Sequence, residues 1–285
     1  MQPPHIRLHA GAHDRLGLQR RDDEWLDRSF RKGRILVVAG TRVSRELAWV
    51  DADQAPAGVR VLLGERDDVA HWAVITSERV EGWVALRDLL ADLAGDPSQA
   101  PLIFHALGIA EWLRATRFCA RCGTPVTPAA AGHELVCANG HSTFPRTDPA
   151  VIMLVTTDGG ERALLGRHAR WGDQPRYSTL AGFCEPGESL EDAVRREVDE
   201  EAGIALGEVA YFGNQPWPLP ASLMLGFTAQ ALGETIDLRD GELADARWFT
   251  REELRSAMEH GTVIVPEPVS ISRSLIDSWL TSPSG

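Results

Sequence analysis

Glutamates at 188, 197, 200 and 201, an arginine at 196 and glycines at 182, 187 and 203 crowd into the stretch GFCEPGESLEDAVRREVDEEAGI, residues 182–204. A helix advances about 100° per residue, so from Leu190 onward Ala193, Val194 and Val198 share one face, the face a globular helix buries. Glu197 and Glu201 fall in the middle of that face and Glu200 on its flank. Lone carboxylates there would each cost several kcal/mol, roughly, without compensation. Either this helix end is exposed, or a cation sits against it. Glu197 and Glu201 are one turn apart and can reach one ion, and oxygen ligands suit Mg²⁺ or Mn²⁺. Pro186-Gly187 makes the preceding turn and Gly203 ends the helix as a C-cap. Arg196 pairs with a carboxylate, with Glu188 the expected partner, and orients the site.

The stretch resembles the Nudix signature, G-x5-E-x7-R-E-U-x-E-E-x-G-U with U aliphatic, at every specified position. The matches are Gly182, Glu188, Arg196, Glu197, Val198, Glu200, Glu201, Gly203 and Ile204. That resemblance implies an α/β/α sandwich whose loop and helix hold the metals, and hydrolysis of a nucleoside diphosphate linked to a second moiety. Bound metal ions neutralise such a diphosphate and lower the pKa of a bound water.

The sequence QPWPLPASLM, residues 215–224, is similar to the S-Q-P-W-P-F-P-x-S array of the NADH pyrophosphatase branch, with Asn214 for the first Ser and Leu219 for the Phe. Its prolines fix the backbone and Trp217 offers an apolar platform, a rigid wall for a flat ligand. Position by position, the resemblance makes Glu197, Glu200, Glu201 and Glu242 metal ligands, joined by the Ala181 carbonyl. Glu242 is placed by DGELADARWFT. A glutamate of the Glu200–Glu201 pair becomes the base or water orienter. Phe183 becomes one wall of an adenine pocket and Phe144 the other, supplied across a homodimer interface. Gln215, Pro216, Trp217, Pro218, Leu219, Pro220, Ala221 and Ser222 become substrate contacts, with Ser272 and, through a looser match at ALRDLL, Arg87. Cys184, at a variable position, reads as packing. The expected reaction is hydrolysis of NAD(H) to NMN(H) and AMP, extending to NAD caps on RNA 5′ ends. Two rivals are an ADP-ribose or other dinucleotide pyrophosphatase and a non-catalytic Nudix nucleotide sensor; the intact acidic set argues against the sensor.

Cys119-x2-Cys122-x14-Cys137 precedes this region, and thiolates at that spacing can grip a tetrahedral Zn²⁺. The family commonly closes its ribbon with a second C-x2-C. Here Gly140 occupies the last position and His141 follows. A Cys3His site through His141 is the expectation. His133 is an alternative fourth ligand, and a ribbon without zinc a third reading. With four protein ligands the zinc would be structural.

The elements that must position these groups are legible in outline. Residues 1–30 are polar and expected to be poorly ordered in part. RILVVAG, RVLLGE and HWAVIT are β-like, and VALRDLLADLAG is a short helix. PLIFHALGIAEWLRAT carries Ile103, Leu107, Ala110 and Leu113 at helical period. PAVIMLVTTDGGERALLGRH predicts a hairpin around Asp158-Gly159-Gly160. Strands are expected at 208–213 and 222–231, an acidic loop at 237–245, and helices near 251–259 and from Ile271. This gives an α/β protein: a β-rich N-terminal domain over 1–111, a zinc ribbon over 112–147 and a Nudix domain over 148–285.

A chain of 285 residues, 44% hydrophobic and 25% charged, reads as an ordinary soluble protein. It has no apolar run long enough to span a membrane and no secretory h-region, so a cytoplasmic location is expected. Four cysteines are too few for a disulfide scaffold. The net charge of −12 is wrong for a protein living on extended phosphate-backbone contacts. Any nucleic-acid contact must be local or limited to a terminal nucleotide.

Overall fold

The computed structural model describes residues 13–78 and 80–282. They separate into two units, one holding residues 13–147 with Trp217–Ala221, the other Asp148–Pro216 and 222–282.

In the first unit, α1 (Asp23–Lys32) is capped by the Asp22 carboxylate, which accepts from Trp25 N, and carries Asp23 and Glu24 in its first turn. Both features favour a helix start. The helix sits where the polar composition predicts partial disorder, and its Phe30 is buried against Trp72, ring centroids 5.4 Å apart. Residues 1–12 of that expectation lie outside the described residues. Strands β1 (Arg34–Ala39), β2 (Arg42–Val43), β3 (Trp49–Val50), β4 (Val59–Arg66), β5 (Val69–Thr76) and β6 (Val84–Ala85) form a sheet in the order β4-β5-β1-β2-β6, with β3 on β1. β1 and β5 run parallel.

Helix α2 (Leu90–Gly95) leads to α3 (Ala100–Ala115). The stripe read at Ile103, Leu107 and Ala110 is buried, but so are Leu102, Phe104, Ala106, Ile109 and Trp112, whereas Leu113 is only half-buried. α3 is therefore a core helix closed nearly all round rather than an amphipathic surface helix. β7 (Val126–Ala129), β8 (Glu134–Cys137) and β9 (Ser142–Thr143) make a small antiparallel sheet. His133, just ahead of β8, ties it to β4 by donating from Nε2 to Leu62 O at 2.8 Å, and Glu134 of β8 pairs with Arg21 of the 3-10 turn before α1.

The second unit is built on β10 (Asp148–Thr156), β11 (Arg162–His168), β12 (Leu180–Phe183), β13 (Leu206–Trp217), β14 (Ser222–Ala231) and β15 (Leu243–Thr250). The order is β13-β14-β10-β11-β15, with β12 on β10. β10 and β14 are parallel; β10–β11, β10–β12 and β11–β15 are antiparallel. Side chains alternate across a strand, so β10 serves two cores. Val151, Met153 and Val155 face α4 (Leu190–Ala202) through Ala193, Val194, Val198 and Ala202. Ile152 and Leu154 join the opposite core with Leu254 of α5 (Arg251–Glu259) and Leu275, Ile276 and Trp279 of α6 (Ile271–Thr281). This is the expected α/β/α sandwich.

Two strands of this unit are not evident in the sequence. β15 begins at Leu243, inside the stretch expected to be an acidic loop, because Leu243, Ala246 and Phe249 bury against the sheet while polar neighbours face out. β12 (Leu180–Phe183) lies just before the Pro186-Gly187 turn, where Ala181–Gly182–Phe183 offer no clear alternation.

Candidate active site and zinc ribbon

β12 and α4 place the acidic residues. Ser189 caps α4 by accepting from Asp192 N, and Gly203 ends it with φ 68°, a left-handed conformation that suits glycine. Ala193, Val194, Val198 and Ala202 anchor the inner face. Glu201 is buried with them, 3% exposed, Glu197 is half-buried and Glu200 is exposed. The periodicity thus separates the inward Glu197 and Glu201 from the exposed Glu200, although Glu197, expected mid-face like Glu201, is only half-buried.

Arg196 is the hub. Its Nε donates to Glu188 Oε1 at 2.6 Å and its guanidinium to Glu188 Oε2 at 2.9 Å, Glu197 Oε1 at 2.8 Å, Glu200 Oε2 at 3.0 Å and Phe183 O at 2.8 Å. The bidentate grip on Glu188 is the expected pair, and with the Glu185 N–H it holds the Glu188 carboxyl down at about 2. Arg196 itself titrates above its ordinary range because of these bonds, that to Glu188 first. It touches both β12 and α4, so it sets the strand-to-helix geometry.

Glu201 is different. Its Oε2 is buried with no hydrogen-bond partner among the described residues. Burial, then the charges of Glu197, Asp240, Glu242 and Glu200, push its carboxyl up to about 8. Burial also raises Glu197, against the pull of Arg196. A buried orphan carboxylate facing further acids is a costly arrangement without a cation. The donors are all hard oxygens, the set that Mg²⁺ or Mn²⁺ takes, so the residues fit a divalent ion. The four carboxylates do not close into one tight cluster here: among the described residues the sole group of metal-ligating atoms that close together is in the ribbon.

Glu242 immediately precedes β15. Its Oε2 is 3.8 Å from His168 Nε2, and its carbonyl accepts from Ala169 N at 2.8 Å. Asp240 and His168 were not singled out from the sequence. The signal for His168 is its place at the end of β11, paired in register with Leu243.

Phe183 is 56% exposed on β12 and Phe144 64% exposed beside β9, both available to a ligand. The array at 215–222 is the end of β13 and its turn into β14. Pro216, Trp217, Pro218, Leu219, Ala221 and Ser222 are half-buried and Pro220 is exposed, while Arg87 is exposed on a 3-10 turn. Gln215 and Ser272 do not present side chains to solvent. Gln215, 1% exposed, donates to Val269 O at 2.8 Å and accepts from Ile271 N at 2.9 Å. Ser272, 4% exposed, shares hydrogen bonds with Ser178 and Thr179. Both side chains fasten the start of α6 to the sheet, so direct substrate contact through them is not what this geometry offers. Cys184 packs against the α4 core, as expected.

In the ribbon, the ligand atoms of Cys119, Cys122, Cys137 and His141 all lie within 4.8 Å of one another. Cys122 and Cys137 Sγ are 3.7 Å apart, and Cys119 Sγ is 3.6 Å from His141 Nδ1. Tetrahedral zinc with Zn–S bonds of about 2.3 Å calls for sulfur spacings near these. Gly140, with φ 77°, donates to Cys137 O at 2.9 Å and turns the chain so that the next residue points inward. His141 thereby takes the place of the missing cysteine. His133 is elsewhere, packed on His105 with its Nε2 spent on Leu62 O.

A mixed sheet between two helical layers, with an Arg-locked turn and a carboxylate-bearing helix, defines a hydrolase of the Nudix class. Residues 146–265 match the NUDIX domain, and residues 114–144 the NADH pyrophosphatase zinc ribbon domain. The chain is 40% identical over 266 residues to the NAD-capped RNA hydrolase NudC of Mycobacterium bovis (strain BCG / Pasteur 1173P2), covering 87% of this chain and 83% of that protein. It is 41% identical over 194 residues to the NAD-capped RNA hydrolase NUDT12 of Macaca fascicularis, covering 64% of this chain and 42% of that protein. A crystal structure of a NUDIX hydrolase from Nitrosomonas europaea aligns at TM-score 0.41 and 22% identity, over 53% of this chain and 99% of that one. The present chain belongs to the Nudix hydrolase family, in the branch that carries an NADH pyrophosphatase zinc ribbon.

Proposed function

We propose that this protein hydrolyses the central diphosphate of NAD(H), free or as the 5′ cap of an RNA, releasing NMN(H) and AMP or a 5′-monophosphorylated RNA. The observation that carries the chemistry is Glu201: a buried carboxylate with an orphan oxygen, surrounded by Glu197, Glu200, Asp240 and Glu242. The substrate reading rests on the similarity to proteins named NAD-capped RNA hydrolases and on the array at 215–222.

Glu197, Glu200, Glu201 and Glu242, with the Ala181 carbonyl, would hold two or three Mg²⁺ or Mn²⁺ ions. When bound, such ions neutralise the diphosphate and acidify a bound water. The protein's own part is positional and protic. Arg196 fixes Glu197 and Glu200 relative to β12. A glutamate of the Glu200–Glu201 pair would take the proton of the attacking water; burial and the neighbouring acids push the Glu201 carboxyl up to about 8. Phe183 offers an apolar face to the adenine, with Phe144 as the second wall supplied by the other subunit of a homodimer. The resemblance of the 215–222 array assigns Trp217 and its flanking prolines to the substrate, and a looser resemblance adds Arg87. Zn²⁺ in the Cys3His ribbon keeps no open position and is structural. No helix among the described residues is long and apolar enough to cross a membrane.

The test is a side-by-side assay of NADH, NAD-capped RNA and ADP-ribose with product identification. NMN(H) and AMP from NADH at rates well above ADP-ribose cleavage support the reading. Preferential cleavage of ADP-ribose overturns the dinucleotide assignment.

A further inference from the structure

The end of β11 and the segment after it concentrate positive charge and a large aromatic ring on a protein whose net charge is −12. Residues 167–176, RHARWGDQPR, carry Arg167, Arg170 and Arg176 against one acid, Asp173. Arg167 is occupied, donating to Gly172 O and so closing the loop. Arg176 lies over the Trp171 indole, its Cζ 5.5 Å from the ring centroid, and the His168 ring is 5.9 Å from the same indole. Arg170 is exposed and has no carboxylate partner among the described residues. A guanidinium over an indole is an attractive pair that pre-sets a flat, cationic surface.

The position of this surface matters more than its composition. Ala169 N donates to Glu242 O at 2.8 Å, and His168 Nε2 is 3.8 Å from Glu242 Oε2. The loop is therefore hydrogen-bonded to the segment carrying one of the site's carboxylates. Free NAD(H) ends at its two nucleosides and has no phosphate beyond the central diphosphate. A capped RNA continues from the adenosine through a further phosphate and base. Stacking and a backbone phosphate are the two things a single strand offers without regard to sequence; the half-buried Trp171 indole, with Arg176 lying over it and Arg170 exposed beside it, provides for both.

We propose that Trp171, Arg170 and Arg176 form a local subsite for the first nucleotide of single-stranded RNA beyond the cap, stacking its base and contacting its linking phosphate. This rests on the functional reading above and deepens it: the loop distinguishes capped RNA from free dinucleotide at one catalytic centre. It also reconciles RNA recognition with an acidic chain, since binding one or two phosphates needs no extended basic surface.

The experiment compares kcat/KM of full-length wild type, Trp171→Ala and Arg170→Gln/Arg176→Gln on NADH and on an NAD-capped single-stranded oligonucleotide. Trp171→Ala is expected to lower kcat/KM on the capped RNA about tenfold, the range of one base stack removed, and to leave NADH hydrolysis within about twofold. The arginine variant should flatten the salt dependence on capped RNA, by a slope of roughly 0.7 for each phosphate that is no longer neutralised. Equal decreases on both substrates would show that the loop only supports Glu242, and no decrease on either that it touches neither; both overturn the inference while the functional reading stands. A wild type that hydrolyses NADH but leaves the capped RNA intact removes the capped substrate from the functional reading and this inference with it.

Discussion

The Glu197 carboxylate fills the space above Gly182: a Cβ built at Gly182 would fall 1.8 Å from Glu197 Cδ. The first glycine of the stretch is thus required by close approach rather than by its dihedral angles. Glu197 passes over β12 there to be held by Arg196 at 2.8 Å.

Gly182→Ala should accordingly behave as a site mutation. The added methyl must push Glu197 aside, because the β12 backbone is fixed by its pairing with β10 at Val151. We expect kcat to fall by at least about a hundredfold, the scale of losing one electrostatic catalytic group, with circular dichroism unchanged. Turnover above a tenth of wild type would show that Glu197 tolerates displacement.

Glu201→Gln should reduce turnover by roughly 10²–10³-fold, the same scale, and should also change the stability profile of protein without added Mg²⁺ or Mn²⁺. The folded carboxyl titrates near 8 against an ordinary value near 4.3. Between those values the folded state holds a proton that the unfolded state has released. Stability from this group is therefore complete below about pH 4 and is lost as pH rises toward 8. The Tm difference, variant minus wild type, should grow more positive from pH 5 to pH 8. A difference independent of pH would mean that Glu201 is ionised in the metal-free protein.

The ribbon should hold one zinc per chain after purification without added metal. Cys119→Ser and His141→Ala should each lose it, while His133→Ala should keep it because that ring donates to Leu62 O. Structural zinc contributes on the order of 10 kcal/mol in small zinc-dependent folds, so a chelator should lower Tm by many degrees. Elemental analysis and thermal melts of the three variants give the answer; zinc retained in His141→Ala would remove that residue from the ligand set.

Phe183→Ala should lower kcat/KM for NADH about tenfold or more, since stacking of one base contributes roughly 1–3 kcal/mol. It should lower NAD-cap removal in parallel, because the adenine is the same in both substrates. A variant that loses cap removal alone would separate the two substrates' binding modes.

Much of the site is local in sequence, and for that reason legible. Glu197, Glu200 and Glu201 are displayed by one helix, so the helical period alone separates the inward Glu197 and Glu201 from Glu200. Arg196 reaches Glu188 across a single turn and loop. The hairpin at 158–160, α5 and α6 announce themselves through turn residues and period. The Cys119–Cys122 spacing, and Gly140 ahead of His141, contain the ribbon within two tight turns.

What remained to the tertiary structure are choices made by partners far away in the chain. Gln215 lies in a proline-rich array that resembles a binding wall, yet its amide turned inward to the backbone of Val269 and Ile271. Ser272 likewise went to Ser178 and Thr179. A polar side chain in a buried position must find a hydrogen-bond partner, and no periodicity says which distant strand supplies it. Strand β15 formed inside an acidic stretch because β11 offered it an edge, and that pairing brought His168 and the Arg170–Trp171 turn beside Glu242. Composition fixes what each residue can do; which residues meet is decided by sheet order, since strands adjacent in space need not be adjacent in sequence.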